Sequence, residues 1–362
     1  MLGLYVHLPF CRVHCAYCPF VVSTDDAMQS AYIDALVTEI TIRGNGESVD
    51  TIYFGGGTPS RTDAHDLERI AATIRSRFDV ARDTEFSIEA NPEDITAGAI
   101  AFWKSLGINR LSIGVQSFHD AELQPIGRIH TAQRARDAIR DAINSGLRVS
   151  IDLILGLPNQ TPDSFRLSVD EAIGSGVGHI SVYMLDLDED TALRRRVEAG
   201  VARLPDEETI AELYVEMVDA LHRAGFSQYE ISNFARRGEE SKHNLRYWRR
   251  QHYHGFGVGA HSFVGERRFA NTRDLRRYIG GDFAPEFSEE LTENERRHEM
   301  AFLQLRQTAG INCDDLRRLC GEEAVEWIEN GVSEGWLRRE GSRVAFTPAG
   351  FLVSSELISQ LF

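Results

Sequence analysis

The segment YVHLPFCRVHCAYCPF, residues 5–20, places Cys11, Cys15 and Cys18 on one short stretch, three of the five cysteines in the chain. Thiolates at C-x3-C-x2-C spacing are soft donors on a single loop, and they suit zinc or an iron–sulfur cluster. A closed zinc site needs a fourth ligand, which His7 or His14 can supply from the same segment. A cubane cluster held by three cysteines instead leaves one iron open, where a small molecule can bind. Uncoordinated thiols are the third alternative.

Other polar positions stand out from their surroundings. In YFGGGTPS, residues 53–60, three successive glycines either form a tight turn or let the backbone approach a ligand with free N–H groups. Glu89 in FSIEANPE, Gln116 in SIGVQSF and Asp152 in SIDLILGLP each interrupt an apolar run. A buried polar group needs a partner, and either a core neighbour or a ligand provides one.

Six β-rich runs position these residues: GLYVHL, DTIYFGG, EFSIEAN, RLSIGV, VSIDLILG and HISVYML. Amphipathic segments such as AMQSAYIDALVTEI and AHDLERIAATIRSRF separate them, the pattern of a parallel α/β sheet built from βα units. Six units predict a partial, TIM-like (βα)6 barrel, with the polar motifs at the C-terminal strand ends that form the binding face. The pattern predicts a core over residues 1–200, an extension over 201–285, and a small, mainly helical, winged-helix-like domain over 286–362.

The totals exclude several classes. With 42% apolar and 26% charged residues the composition is that of a globular protein. The start of the chain lacks a signal-peptide layout and no run of apolar residues is long enough to span a bilayer, so the expected location is the cytoplasm. There thiols stay reduced, which favours a metal site or reactive centre over disulfides. Asp and Glu number 55 against 39 Lys and Arg, a formal charge of −16 that repels nucleic acids and anionic membrane surfaces. The basic run YWRRQHYH is too short to reverse this.

With Tyr17 just before the third cysteine, the loop resembles that of the radical S-adenosylmethionine (SAM) superfamily, C-x3-C-x-aromatic-C. The resemblance implies a [4Fe-4S] cluster on Cys11, Cys15 and Cys18. Its open iron would chelate the amino and carboxylate groups of SAM, and an electron from the reduced cluster can cleave the sulfonium bond. The glycine run is similar to the superfamily's GGE-type element, which places Gly56, Gly57 and Thr58 at the SAM amino group. The ordered motifs YVHLPFC, FGGGTPS, IEANPE, GVQSF, IGRIH and DLILGLP resemble the coproporphyrinogen dehydrogenase-like family over residues 5–263. Carried over by position, Tyr5, Gly57, Thr58, Glu89, Gln116, Arg128 and Asp152 contact SAM, with Tyr17 beside the cluster. Arg128 also suits a carboxylate on physical grounds.

Within that family, the coproporphyrinogen III dehydrogenases carry a further cysteine two residues past the last cluster ligand and a longer N-terminal arm. Here that position is Phe20, and ten residues precede Cys11. Both differences argue against oxidative decarboxylation of a porphyrinogen. The family's heme chaperones are similar to this chain at both places and share H-N-x-x-Y-W, here His243, Asn244, Tyr247 and Trp248, between YEISNFA and GFGVGAHSF. That resemblance implies heme binding, delivery to heme-dependent respiratory proteins, some of them membrane-bound, and dimerisation accompanying cluster binding. An imidazole is a common axial ligand of heme iron, and aromatic rings pack on the macrocycle. On a helix, His243 and Tyr247 share a face at i and i+4. Without the resemblance, His243 reads as one of twelve histidines satisfied by surface or core. His261 is a second candidate, against a histidine held by a glycine-rich turn. Cys313 and Cys320, in a helical pattern, read as partly buried residues without function. The alternative activities are the porphyrinogen dehydrogenase and a radical enzyme that modifies heme.

Overall fold

The six apolar runs become β1 (Leu2–Leu8), β2 (Ser48–Gly56), β3 (Asp79–Ala90), β4 (Arg110–Gln116), β5 (Arg148–Leu155) and β6 (His179–Met184). These come from a computed structural model, which describes residues 1–187 and 191–362. Each strand pairs in parallel with the next. Helices Gln29–Arg43, Ala64–Arg77, Ala97–Ser105, Ala132–Asn144 and Pro162–Gly174 connect them. Parallel strands covered on both faces must be apolar throughout, and Leu4, Val6, Phe54, Ile88, Leu111, Ile113 and Ile151 are all fully buried. Thr96, Thr131 and Thr161 cap the last three helices by accepting the backbone N–H of Ala99, Arg134 and Ser164. Each loop at the C-terminal ends of β3, β4 and β5 is therefore held between a strand end and a fixed helix start.

Beyond β6 the chain forms the antiparallel hairpin β7 (Ser227–Glu230) and β8 (Asn233–Ala235), the helix Lys242–Trp248, and then β9 (Tyr253–Phe256), β10 (His261–Val264), β11 (Arg267–Ala270) and β12 (Phe287–Glu290). β9 lies parallel to β1 on its free edge, with Gly3 opposite Tyr253, and β10 to β12 continue antiparallel. The barrel stays open because β1 takes β9, and not β6, as its second neighbour.

A buried carboxylate fixes this extension. Glu39 is fully buried on helix Gln29–Arg43 and accepts from Arg43 (2.5 Å), Tyr278 Oη (2.6 Å), Asn271 Nδ2 (2.7 Å) and the Gly257 amide (2.9 Å). Beside it, the Tyr32 hydroxyl donates to the His7 carbonyl (2.6 Å) and accepts from the Val258 amide (3.2 Å). The first helix, β1 and the segment after β9 are thus tied through one polar knot whose donors all find acceptors.

The chain divides into two units, residues 1–205 with 252–290, and 206–251 with 291–362. The boundaries differ from those expected. The stretch 201–285 is split, because β9 joins β1 while the residues before it pack with the C-terminal segment. In the second unit the Ile231 amide donates to the Arg306 carbonyl (3.1 Å), the Thr308 amide to the Tyr229 carbonyl (3.2 Å), and Gln307 Nε2 to the Trp248 carbonyl (3.0 Å). Its helix Glu293–Leu305 is followed by β13 (Ile311–Asn312), helices Cys313–Cys320 and Glu323–Ser333, and the hairpin β14 (Leu337–Glu340) and β15 (Arg343–Phe346). β15 lies between β13 and β14, the order of a winged helix. Among the described residues no helix is long and apolar enough to cross a membrane.

Removing the Glu39 carboxylate strands a half-buried guanidinium and three donors, so Glu39→Leu should lower unfolding free energy by about 3 kcal/mol. Urea denaturation followed by circular dichroism measures this.

Candidate functional site

The cysteine loop is an excursion closed at its base. The Cys11 amide donates to the Ser23 carbonyl (2.9 Å) and the Ser23 amide to the Pro9 carbonyl (2.8 Å). Its tip is tied elsewhere, with the Ala16 amide on the Ile126 carbonyl (3.0 Å) and the Ala16 carbonyl accepting from Leu193 (2.7 Å). The end of β2 runs directly against the base. A Cβ at Gly57 would stand 2.6 Å from the Pro9 carbonyl carbon, and one at Gly56 2.5 Å from His7 Nδ1. Gly56 also has φ +112°, which side chains rarely adopt. Close approach of the Pro9 backbone at Gly57 and of the His7 ring at Gly56, not a turn alone, is why glycines stand here.

That packing corrects one expectation. The amides of this segment are not free: Gly56 N–H donates to Glu89 Oε2 (3.0 Å), Gly57 N–H to the Leu8 carbonyl (2.8 Å) and Thr58 N–H to the Phe10 carbonyl (3.1 Å). An ammonium group brought here would need carbonyl or carboxylate oxygens as its acceptors.

Above the strand ends lies a cavity of about 450 Å³. Its wall brings together Cys11, Cys15, Cys18, Tyr17, Gly56, Gly57, Thr58, Glu89, Gln116, Arg128 and Asp152. Tyr5 is not in that wall; its hydroxyl is 3.0 Å from His7 Nδ1 and its ring stacks on Tyr53. His261, at the start of β10, also lies outside the wall. Gln116 reaches it through a left-handed backbone, φ +66°, where the β4–β5 register slips by one residue. Asn91 and Ser112 belong to the wall and went unremarked in the sequence. Asn91 accepts from Arg128 (2.6 Å), while Ser112 is opposite Glu89 across the β3–β4 pair and 3.4 Å from Asp152. Like Glu89, each is a polar residue at or near a strand end, which was the available signal.

Buried ionisable groups dominate the electrostatics of the cavity wall. Burial raises Glu89 to about 7 and Asp152 to about 6, against opposing hydrogen bonds from Tyr53 to Glu89 and from Ser181 and Ser112 to Asp152. Burial also pushes the Tyr17 phenol well above its ordinary value. Burial works against the charge of Arg128, but Tyr17, Cys15 and Glu93 outweigh it and strengthen its hold on the proton. Arg128 donates to Asn91 and to the Gly114 carbonyl (2.7 Å) and lies 3.7 Å from Cys15 Sγ, yet its buried Nε has no partner. An orphaned guanidinium nitrogen is a place for a carboxylate.

The three thiols of the loop face one space. Among the described residues no three His, Cys, Asp or Glu groups are arranged to hold one metal ion, although all three thiols reach the same cavity. The two candidate fourth ligands are engaged elsewhere. His7 contacts Tyr5 Oη and the Val21 carbonyl (2.9 Å), and His14 Nε2 is 3.1 Å from the Cys18 carbonyl. Thr58 Oγ1 donates to Cys11 Sγ (3.3 Å). Burial raises the Cys11 thiol, and pushes Cys18 up to about 11, so metal binding would have to displace their protons.

The second unit holds the other candidate motif. His243, Tyr247 and Trp248 lie on helix Lys242–Trp248, whose N-cap Ser241 accepts from the Asn244 amide (3.2 Å). His243 is 1% exposed, and its Nε2 is 2.8 Å from Tyr247 Oη. Burial, with Arg246 nearby, lowers its pKa to about 3 and keeps the imidazole neutral. Cys313 and Cys320 are half-buried at the two ends of their helix, Cys320 pushed up to about 11 by burial.

A family model described as the Radical SAM superfamily matches residues 5–172, and one described as the HemN C-terminal domain matches residues 291–353. The heme chaperone HemW of Bacillus subtilis is 34% identical over 371 residues, covering 99% of this chain and 98% of its own length. The heme chaperone HemW of Mycobacterium tuberculosis H37Rv is 35% identical over 372 residues, covering 99% and 94%. Among solved structures, the coproporphyrinogen III oxidase HemN of Escherichia coli, a radical SAM enzyme, superposes with a TM-score of 0.86 at 23% identity, over 99% of this chain and 89% of its own.

Two outcomes follow from the geometry. Gly57→Ala should leave the fold intact by circular dichroism but displace the loop base, so that iron and sulfide per chain after anaerobic reconstitution fall well below wild type. Because the folded pKa of Glu89 is raised, its contribution is most favourable at low pH and is lost as pH rises from about 4.5 through about 7. Glu89→Gln should therefore stabilise the cofactor-free protein at pH 8 relative to pH 5, by at most about 3 kcal/mol. Thermal melts of both proteins at the two pH values test it.

Proposed function

The chain belongs to the HemW family of the radical SAM superfamily, and from that premise we propose that it is a cytoplasmic heme chaperone. In this reading Cys11, Cys15 and Cys18 hold a [4Fe-4S] cluster and SAM fills the cavity beside it. Arg128 takes a carboxylate, Glu89 and Asp152 take amino or hydroxyl groups, and Gln116 and Thr58 complete the wall. Such a cluster supplies an open iron for chelation and a low-potential electron. Heme is bound near His243, Tyr247 and Trp248 and passed to heme-dependent respiratory proteins, membrane-bound ones among them. Cluster loading accompanies dimerisation.

The full-length similarity to relatives named heme chaperone HemW carries this reading. Three local features support it. Phe20, 63% exposed on the cavity wall, stands where a porphyrinogen dehydrogenase has its additional cysteine. His243 is held neutral, the state in which imidazole ligates iron. Exposed Lys242 and Arg249 flank the motif and put positive charge, within a chain of formal charge −16, where heme propionates would need it.

The test is a heme titration of the anaerobically reconstituted protein, followed by Soret absorbance, for wild type and His243→Ala. Saturable binding that weakens by about ten-fold or more in the variant is expected, the scale on which loss of metal-site groups costs affinity. Absence of saturable binding by wild type with an intact cluster would refute the chaperone assignment.

A further inference from the structure

We propose that Asn91 is a positioning residue with two ends: its amide holds the Arg128 guanidinium in place for a carboxylate and, through Thr58, sets the direction of the hydrogen bond that Cys11 receives. This rests on the reading above, in which the thiols hold a cluster and SAM fills the cavity.

The contacts form a directed chain. Arg128 Nη2 donates to Asn91 Oδ1 (2.6 Å), Asn91 Nδ2 to Thr58 Oγ1 (3.4 Å), and Thr58 Oγ1 to Cys11 Sγ (3.3 Å). Arg128 Nη1 lies 3.7 Å from Cys15 Sγ, and all five residues line the one cavity. The polarity of the chain is fixed by its source. A guanidinium has only donors, so the amide must turn its oxygen to Arg128 and its nitrogen to Thr58. The Thr58 hydroxyl, accepting from that nitrogen, keeps its own hydrogen for sulfur. A thiolate can only accept, so this is the direction that a metal-bound Cys11 requires.

The same amide orients the guanidinium. Nη2 donates both to Asn91 and to the Gly114 carbonyl (2.7 Å), and Nη1 faces Cys15, which leaves the buried Nε without a partner. Asn91 is thus one of three contacts that aim that nitrogen.

Only the side chain is at stake. Asn91 has φ −87° and ψ 146°, extended backbone that suits any residue before a proline, here Pro92. Its amide donates to Ser60 Oγ (3.3 Å) and its carbonyl accepts from the Asp94 amide (3.0 Å), so the backbone is held without the side chain. Hydrogen bonds to cluster sulfurs are among the groups that set the reduction potential. A donor favours the more negative, reduced state, so its loss makes reduction harder.

The experiment uses the full chain, anaerobically reconstituted, as wild type, Asn91→Ala, Thr58→Val and the double variant, with iron and sulfide per chain measured for each. SAM affinity is measured by equilibrium dialysis with the cluster oxidised, and the midpoint potential by redox titration without SAM, followed by electron paramagnetic resonance. Asn91→Ala should bind SAM about ten-fold more weakly, the scale on which loss of outer groups costs a metal site. Its potential should shift to a more negative value, as should that of Thr58→Val. In the Thr58→Val background Asn91→Ala should add no further shift, because both act on the same sulfur. Asn91→Leu, close to asparagine in shape and without polar atoms, should repeat the result and guards against misfolding of one variant. Wild-type SAM affinity or wild-type potential in both Asn91 variants would overturn the proposal. So would a shift that persists in the Thr58→Val background, since a merely structural role would not follow Thr58. Wild type that takes up no iron and sulfide, or binds no SAM once loaded, would instead refute the premise, and so is distinguishable from failure of Asn91.

Discussion

The cavity depends on a contact that tolerates no side chain. The end of β2 lies against the base of the cysteine loop so closely that a Cβ at Gly57 would meet the Pro9 backbone and one at Gly56 would meet His7. His7 is itself held on both ring nitrogens, so the obstruction is fixed. From that contact the Gly56 amide reaches Glu89, Glu89 engages Tyr53, and the loop is held over the strand ends with its three thiols facing one space. Backbone hydrogen bonds at the base and at Ala16 fix both the foot and the tip of the loop.

Around that space the protein encloses groups that would be more comfortable in water. Two carboxylates with raised pKa values and a guanidinium with an unpartnered nitrogen are held in a wall built from rigid parallel strands. Burial without full satisfaction is costly, and proteins tend to retain it where a ligand restores the missing partners. A molecule carrying an ammonium, a carboxylate and hydroxyl groups has the complementary chemistry. The left-handed backbone of Gln116 is a further local cost at the same wall, of the kind that gathers at binding sites.

The second unit carries a different arrangement: the His243 imidazole is buried and held neutral, with its Nε2 2.8 Å from the Tyr247 hydroxyl. The helix that carries it is capped at its start by Ser241 and held at its end through the Trp248 carbonyl and the Arg250–Glu299 pair just beyond.

Much of this was legible in the sequence because it is encoded locally. The cysteine spacing marked the loop whose three thiols line the cavity, six apolar runs marked six strands, and the i, i+4 spacing of His243 and Tyr247 placed them on one helical face, since these periods are properties of neighbouring residues. Glu89, Gln116 and Asp152 were visible as polar interruptions, whereas Asn91 and Ser112 looked like ordinary polar residues until the wall assembled. Tertiary structure alone decided that β9 pairs with β1 and so divides the stretch 201–285 between two units. It also decided that the glycine amides are already bonded, and that Glu39 on the first helix meets Asn271 and Tyr278, far along the chain. Each of these joins residues distant in sequence, and no local period records which distant donor will meet a given acceptor.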